Sequence, residues 1–217
     1  MNIEIFDVEQ GTREWFLARA GLPTASCFDK VMAQPRKGSS ESKTRNDYLY
    51  QLADEVIYGD PVESYTNADM ERGKAMEAEA CSIYALEQEV IPEPVGFVKN
   101  HDLKAGCSPD RFIGTDGLLQ VKTSYPKLWV PHVIHGTFPA EHIPQIQGEL
   151  LVTGRKWCDL MIYWPGRYPH IVRVFPDEAY RTHLTRGLTA FNAELDNLVA
   201  ALRTKVDLEG TLRKAAE

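Results

Sequence analysis

Apolar residues recur at helical spacing in the first part of the chain and at strand spacing after about residue 90. Thr12 is a predicted N-cap for a short helix ending at Arg19, before Gly21 and Pro23, and Thr24 is a predicted cap for a second, from Ala25 to about Ala33. Leu49, Leu52, Ala53 and Val56 give one apolar stripe over Arg45 to Tyr58, closed by Gly59-Asp60-Pro61. A further helical pattern covers Asp69 to Glu89 and stops before Pro92 and Pro94. Strand patterns then follow at Val95 to Lys99, Gly106 to Ile113, Leu118 to Lys122, Leu160 to Trp164 and His170 to Phe175. Pro144 opens a helix predicted to stop at Gly154, and a last helix spans roughly Asp177 to Leu202 before a charged tail expected to fray. Helices first, then a small central sheet flanked by helices, predicts a mixed α/β sandwich without internal repeats.

Composition adds a size and a compartment. The 217 residues are 43% hydrophobic and 25% charged, which fits a single globular domain over 1–217. No apolar run approaches the roughly eighteen residues of a membrane span, and Met1-Asn2-Ile3-Glu4 lacks the basic flank of a leader, so a cytoplasmic location is expected. Cys27, Cys81, Cys107 and Cys158 are too far apart for a Cys-x-x-Cys zinc site and read as reduced, packed thiols. The formal charge of -7 is not that of a basic nucleic-acid binder. Arg36, Lys37, Lys43 and Arg45 nevertheless cluster around a Gly/Ser-rich stretch that suits either a phosphate backbone or plain solvation.

The candidate chemistry lies between Cys107 and Lys122. Asp110 follows Pro109, a hairpin connection at Gly114-Thr115-Asp116-Gly117 intervenes, and Gln120 and Lys122 then share one face of a strand. An acid from one strand with a polar group and a lysine from its neighbour can hold a divalent ion and steer a water. Each part alone has a plainer explanation: Pro-Asp as a turn, Lys122 as a solvated edge residue. Glu77 strengthens the chemical alternative, because its helical neighbours Gly73, Ala80, Cys81 and Tyr84 are small or apolar and a carboxylate buried there needs a partner. Gln145 and Gln147 follow Pro144, where an exposed helix start is the plainer reading. The six histidines have no ligand-like spacing beyond the loose His132/His135 pair.

Taken in order, Glu9-Gln10-Gly11, Trp15 with Arg19, Gly21 and Thr24-Ala25-Ser26, Pro35-Arg36, Gly73-Lys74 with Glu77, Cys107-Ser108-Pro109-Asp110, Val121-Lys122 and Gln145-Ile146-Gln147 resemble the lambda-exonuclease-like, YqaJ-type viral recombination exonucleases. The likeness runs from about Val8 to Asp177. It implies a restriction-endonuclease-like α/β fold of the PD-(D/E)xK superfamily and digestion of duplex DNA from 5′ ends. Mononucleotides would be released, leaving a 3′ overhang for a single-strand-annealing recombinase. It also implies Mg²⁺, with Mn²⁺ as substitute and two ions in the site, and a homotrimer around the DNA. Asp110, residue 120, the Val121 carbonyl and Glu77 would hold metal, Lys122 would place the attacking water, and Gln145 would support the site. Arg19, Ser26 and Ser108 match the grip on the 5′ phosphate, Arg36 a contact to the duplex ahead, and Met70 a wedge between terminal base pairs.

Gln120 departs from that pattern, in which Glu or Asp is normal. The amide oxygen still ligates, but the lost charge should weaken the ion and raise the barrier by roughly a few kcal/mol. An engineered, substrate-trapping variant and a natural glutamine both account for it. An inactive DNA-end-binding scaffold and a structure-specific endonuclease of the same fold remain the rival readings.

Overall fold

The structure, a computed structural model, describes residues 1–59, 61, 68–123 and 125–216, leaving out side chains at 68–72, 74, 126, 128, 129 and 207–216. The helices are α1 (Arg13–Arg19), α2 (Phe28–Val31), α3 (Lys43–Tyr58), α4 (Ala68–Gln88), α5 (Pro126–His135), α6 (Ile143–Thr153) and α7 (Glu178–Ala216). The strands are β1 (Ile3–Phe6), β2 (Pro92–Pro94), β3 (Phe97–Asn100), β4 (Ala105–Cys107), β5 (Arg111–Ile113), β6 (Gly117–Thr123), β7 (Trp157–Tyr163) and β8 (His170–Val174). The mixed α/β class is as expected, but the single sheet is not: β1-β3-β4 form one sheet and β2-β5-β6-β7-β8 another. Among the described strands only β6 and β7 pair in parallel, because α6 crosses between them.

Both faces of the five-stranded sheet are covered. Leu118, Cys158 and Leu160 pack with Ile146 and Leu150 of α6 and Leu184, Leu188 and Phe191 of α7. Alternate residues Leu119, Val121, Met161 and Tyr163 pack with Ala80, Cys81 and Tyr84 of α4. Two buried faces explain why β6 and β7 read as nearly continuous apolar runs. Each fully buried aliphatic side chain contributes about 1.5–3 kcal/mol. Among the described residues no helix is long and apolar enough to cross a membrane, and all four cysteines are free.

Several expectations need correction. The segment Gly106 to Ile113 is two strands in different sheets, and the chain changes sheets at Ser108-Pro109-Asp110. Proline cannot donate to a ladder, so the break falls there. Thr24 does occupy the N-cap position, but of a short 3₁₀ turn, Ala25–Cys27, that precedes α2, and its hydroxyl makes no capping bond and accepts from Arg19 instead. Thr12 does cap α1 through the Trp15 N–H, and Gly59 and Gly154 end α3 and α6 in the left-handed conformation. The last helix begins at Glu178 and continues to Ala216, past the expected fraying point.

Candidate active site

Strand alternation turns Gln120 and Lys122 to the same face as Leu118, towards α6. There the Lys122 ammonium donates to Gln145 Oε1 at 2.9 Å, and the Gln145 amide donates to Glu149 Oε1 at 2.8 Å. Gln145 and Glu149 are one helical turn apart, so α6 presents both at once. Gln120 is 3% exposed and Glu149 1%. Gln120 Oε1 and Glu149 Oε2 are buried with no hydrogen-bond partner among the described residues. Glu149 was not anticipated from sequence.

Asp110 enters from the turn between the two sheets. The Gln10 side chain holds that turn by donating to the Pro109 carbonyl (3.0 Å) and the Val95 carbonyl (2.9 Å). Arg111 pairs with Leu119, so continuing the antiparallel register by one step sets Asp110 opposite Gln120. Asp110 Oδ2 accepts from the Val121 N–H at 2.6 Å. The residue keeps some exposed surface, but its carboxyl is packed round by protein. Desolvation, then repulsion from Glu77, pushes Asp110 up to about 6, against Lys122, the Val121 N–H and Arg111. Burial pushes Glu149 up to about 8; the Gln145 hydrogen bond and Lys122 act the other way, and the Asp110 charge adds to the rise. Asp110 therefore loses its proton first, and Glu149 ionises against that charge.

Glu77 is placed by α4, which Tyr84, seven residues on, anchors to β7 through a 2.6 Å hydrogen bond to Asp159. It does not face the Asp110–Gln120 group freely. Arg111 binds it at 2.7 Å and also donates to the Asp110 carbonyl oxygen. Among the described residues no three His, Cys, Asp or Glu side chains converge closely enough to hold a metal. The oxygen donors of Asp110 and Gln120 nonetheless fit a hard divalent ion, since one oxygen is orphaned and the carboxyl is short of positive charge.

The expected phosphate residues do come together. Arg19 stacks over Trp15 at 4.1 Å, and the Trp15 indole N–H donates to Ser108 Oγ at 2.8 Å. Arg19 also donates to Thr24 Oγ1 at 3.1 Å, which lies 3.4 Å from Ser26 Oγ. Burial lowers the Arg19 pKa, and among the described residues no carboxylate ion-pairs with it. The Gly106 N–H donates to the Pro23 carbonyl at 3.0 Å, pinning this loop to the strand that leads into Ser108. Arg36 is exposed on the loop after α2, whereas Arg45 is tied to Glu194 at 2.7 Å and stacked on Phe191. Gln147 is structural, bridging the Phe175 carbonyl and the Asp177 N–H. Met70 lies in α4, but its side chain is outside the described residues.

Residues 14–156 match the model of the YqaJ-like viral recombinase domain. Among solved structures, the alkaline exonuclease LHK-Exo from Laribacter hongkongensis superposes with a TM-score of 0.78 at 29% identity, covering 90% of this chain and 98% of that one. The same enzyme in complex with dAMP matches equally well. A phage-related exonuclease from Haemophilus somnus 129PT shares the fold, with a TM-score of 0.62 at 10% identity over 83% of this chain and 96% of that one. No curated protein matches. With well over half its length under the family model, and with Asp110, Lys122 and Gln145 assembled at one site, the chain belongs to the YqaJ-like viral recombinase domain family.

Proposed function

We propose that this chain is a one-domain, Mg²⁺-dependent deoxyribonuclease that digests duplex DNA from its 5′ ends and releases 5′ mononucleotides. The observation that carries this reading is a short segment with two chemistries at its ends. Ser108 touches Trp15, on which Arg19 stacks without a carboxylate partner among the described residues, and Asp110 stands opposite Gln120. An anion pocket two residues from an oxygen-rich cation site suits a terminal phosphate beside a scissile one. The likeness to LHK-Exo, an alkaline exonuclease also solved with dAMP, supports the same reaction class.

In this reading Asp110, Gln120 and the Val121 carbonyl would hold an ion, and Glu77, which Arg111 binds in this structure, would serve a second. Bound there, Mg²⁺ or Mn²⁺ supplies Lewis-acid stabilisation of charge on the phosphoryl and departing oxygens. Lys122, fixed by Gln145, directs its ammonium at the attacking water. Arg19 with Ser26 and Ser108 binds the 5′ phosphate, Arg36 follows the duplex ahead, and Met70 separates the terminal base pairs. The product, a 3′ overhang, suits a strand-annealing recombinase as partner, and a homotrimer and cytoplasmic location go with the reading. Taken by itself, Gln120 attenuates turnover, which favours one second reading: an end-binding scaffold.

Linear and covalently closed duplexes, incubated with the protein and Mg²⁺, Mn²⁺ or chelator, separate these readings. The expected result is metal-dependent loss of linear DNA alone, with mononucleotides as product. Tight end binding without turnover at any metal concentration would establish the scaffold. Cutting of the closed circle would establish an endonuclease.

A further inference from the structure

We propose that Glu149 supplies, from helix α6, the metal-binding carboxylate that position 120 lacks. The inference rests on the nuclease reading and deepens it. Its geometry follows from topology. Three residues join α6 to β7, so the helix runs antiparallel to β7 and therefore to β6, its parallel neighbour. Lys122 meets Gln145 at 2.9 Å. Moving from Lys122 back to Gln120 is about 6.6 Å along the strand. Moving from Gln145 on to Glu149 is about 6 Å along the helix in the same direction. The two steps match, and Glu149 arrives over Gln120.

Three further observations agree with that placement. Glu149 interacts electrostatically with Asp110, which the β5–β6 register sets opposite Gln120. It also influences the Cys158 thiol, which lies in the strand beside Leu118. Finally, one oxygen of Glu149 and the amide oxygen of Gln120 are both buried and both without a donor. Two such oxygens left unpaired in a protein interior are costly unless a proton held on Glu149 or a cation stands between them. Lys122 does not fill that place: its ammonium has three donors, but among the described residues its hydrogen bond goes to Gln145 and none reaches either oxygen. A divalent cation would, taking Asp110, the Gln120 amide and Glu149 as an oxygen set with two negative charges. A glutamate at 120 in place of Glu149 would give the same count.

The experiment is Mn²⁺ binding, read by the electron paramagnetic resonance of the free ion, on the unaltered chain, Glu149→Gln and the exchange variant Gln120→Glu/Glu149→Gln. Circular dichroism and melting serve as controls for folding. Removing a ligand charge should weaken Mn²⁺ at least about tenfold in Glu149→Gln. The exchange variant should recover most of that loss, which a merely structural Glu149 could not produce. Linear-duplex digestion should follow the same order. Equal Mn²⁺ affinity in the unaltered chain and Glu149→Gln would overturn the proposal while leaving the nuclease reading standing. That is the result expected if the Gln120 amide is rotated to donate its NH₂ to Glu149. Loss of binding without recovery in a folded exchange variant would also overturn it. If the unaltered chain neither binds Mn²⁺ nor digests DNA, the nuclease reading falls and takes this proposal with it.

Discussion

At the scale of single residues, the site stores an electrostatic debt that the metal-free protein must carry. Asp110 and Glu149 hold their protons more tightly in the folded chain than in the unfolded one, at about 6 and about 8, chiefly because burial disfavours the anions. The sign of the linkage follows. A raised carboxyl pKa favours the folded state fully below its unfolded value, near 4, and that contribution disappears as pH rises through the folded value. In chelator, the melting temperature of the unaltered chain should therefore fall relative to Glu149→Gln as pH increases from about 5 to about 9. The divergence should accumulate steadily from about pH 5 to about pH 8 and level off above that, once Glu149 is ionised in the folded chain as well. Mg²⁺ should reduce it. Parallel melting curves across the whole range would mean that Glu149 is not desolvated, contrary to its 1% exposure.

Elements were legible in proportion to how far local pattern decided them. The helices α1, α3, α4 and α6 have caps or sustained stripes, and their ends fall within a few residues of those expected. Strand β1 has only four residues, β2 contains two prolines, and α5 has Pro131 inside it, so pairing or packing with distant segments overrides their local signals. The split at Ser108-Pro109-Asp110 was hidden for a similar reason, since only the separate partners of β4 and β5 reveal the change of sheet. Asp110 and Lys122 were visible from residue type and spacing, and Gln145 only through the family resemblance. Glu149 was missed although the argument used for Glu77 applied to it: a carboxylate between Ile146 and Leu150 on an apolar helix, one turn after Gln145. Helix α6 sits close because Gly148 leaves room; a Cβ there would lie 2.4 Å from Phe28 Cδ2 and 3.2 Å from Ala25 Cβ. Gly148→Ala should consequently destabilise the chain by about 1–3 kcal/mol in denaturant unfolding, through overpacking against the 3₁₀ turn and α2. A neutral or stabilising effect, as expected at an open helical site, would mean that α6 is not wedged there.

At the scale of the whole molecule, the two chemistries depend on segments far apart in sequence. Arg19 lies at the end of α1, Asp110 at the junction of the sheets, and Gln145 and Glu149 on the crossover helix; the Gly106–Pro23 and Trp15–Ser108 hydrogen bonds hold the first two in register. The net charge of -7 makes diffuse attraction to DNA weak, so affinity must come from local contacts such as this arginine. In the proposed reading Arg19 offers a charge-assisted, bidentate partner to a terminal phosphate, with hydroxyls of Thr24 and Ser26 beside it. A 5′-phosphorylated linear duplex should thus be digested at least about tenfold faster than its 5′-hydroxyl counterpart at limiting DNA, the scale of one lost charged hydrogen bond. Arg19→Ala should erase most of that difference while leaving Mn²⁺ affinity unchanged, because the guanidinium stacks on Trp15 rather than entering the Asp110–Gln120 group. The measurement is a pair of digestion time courses at fixed salt, since phosphate contacts weaken steeply as ionic strength rises. An Arg19→Ala protein that keeps the full preference would remove Arg19 from the pocket, and mononucleotides released from labelled 3′ ends would reverse the assigned polarity.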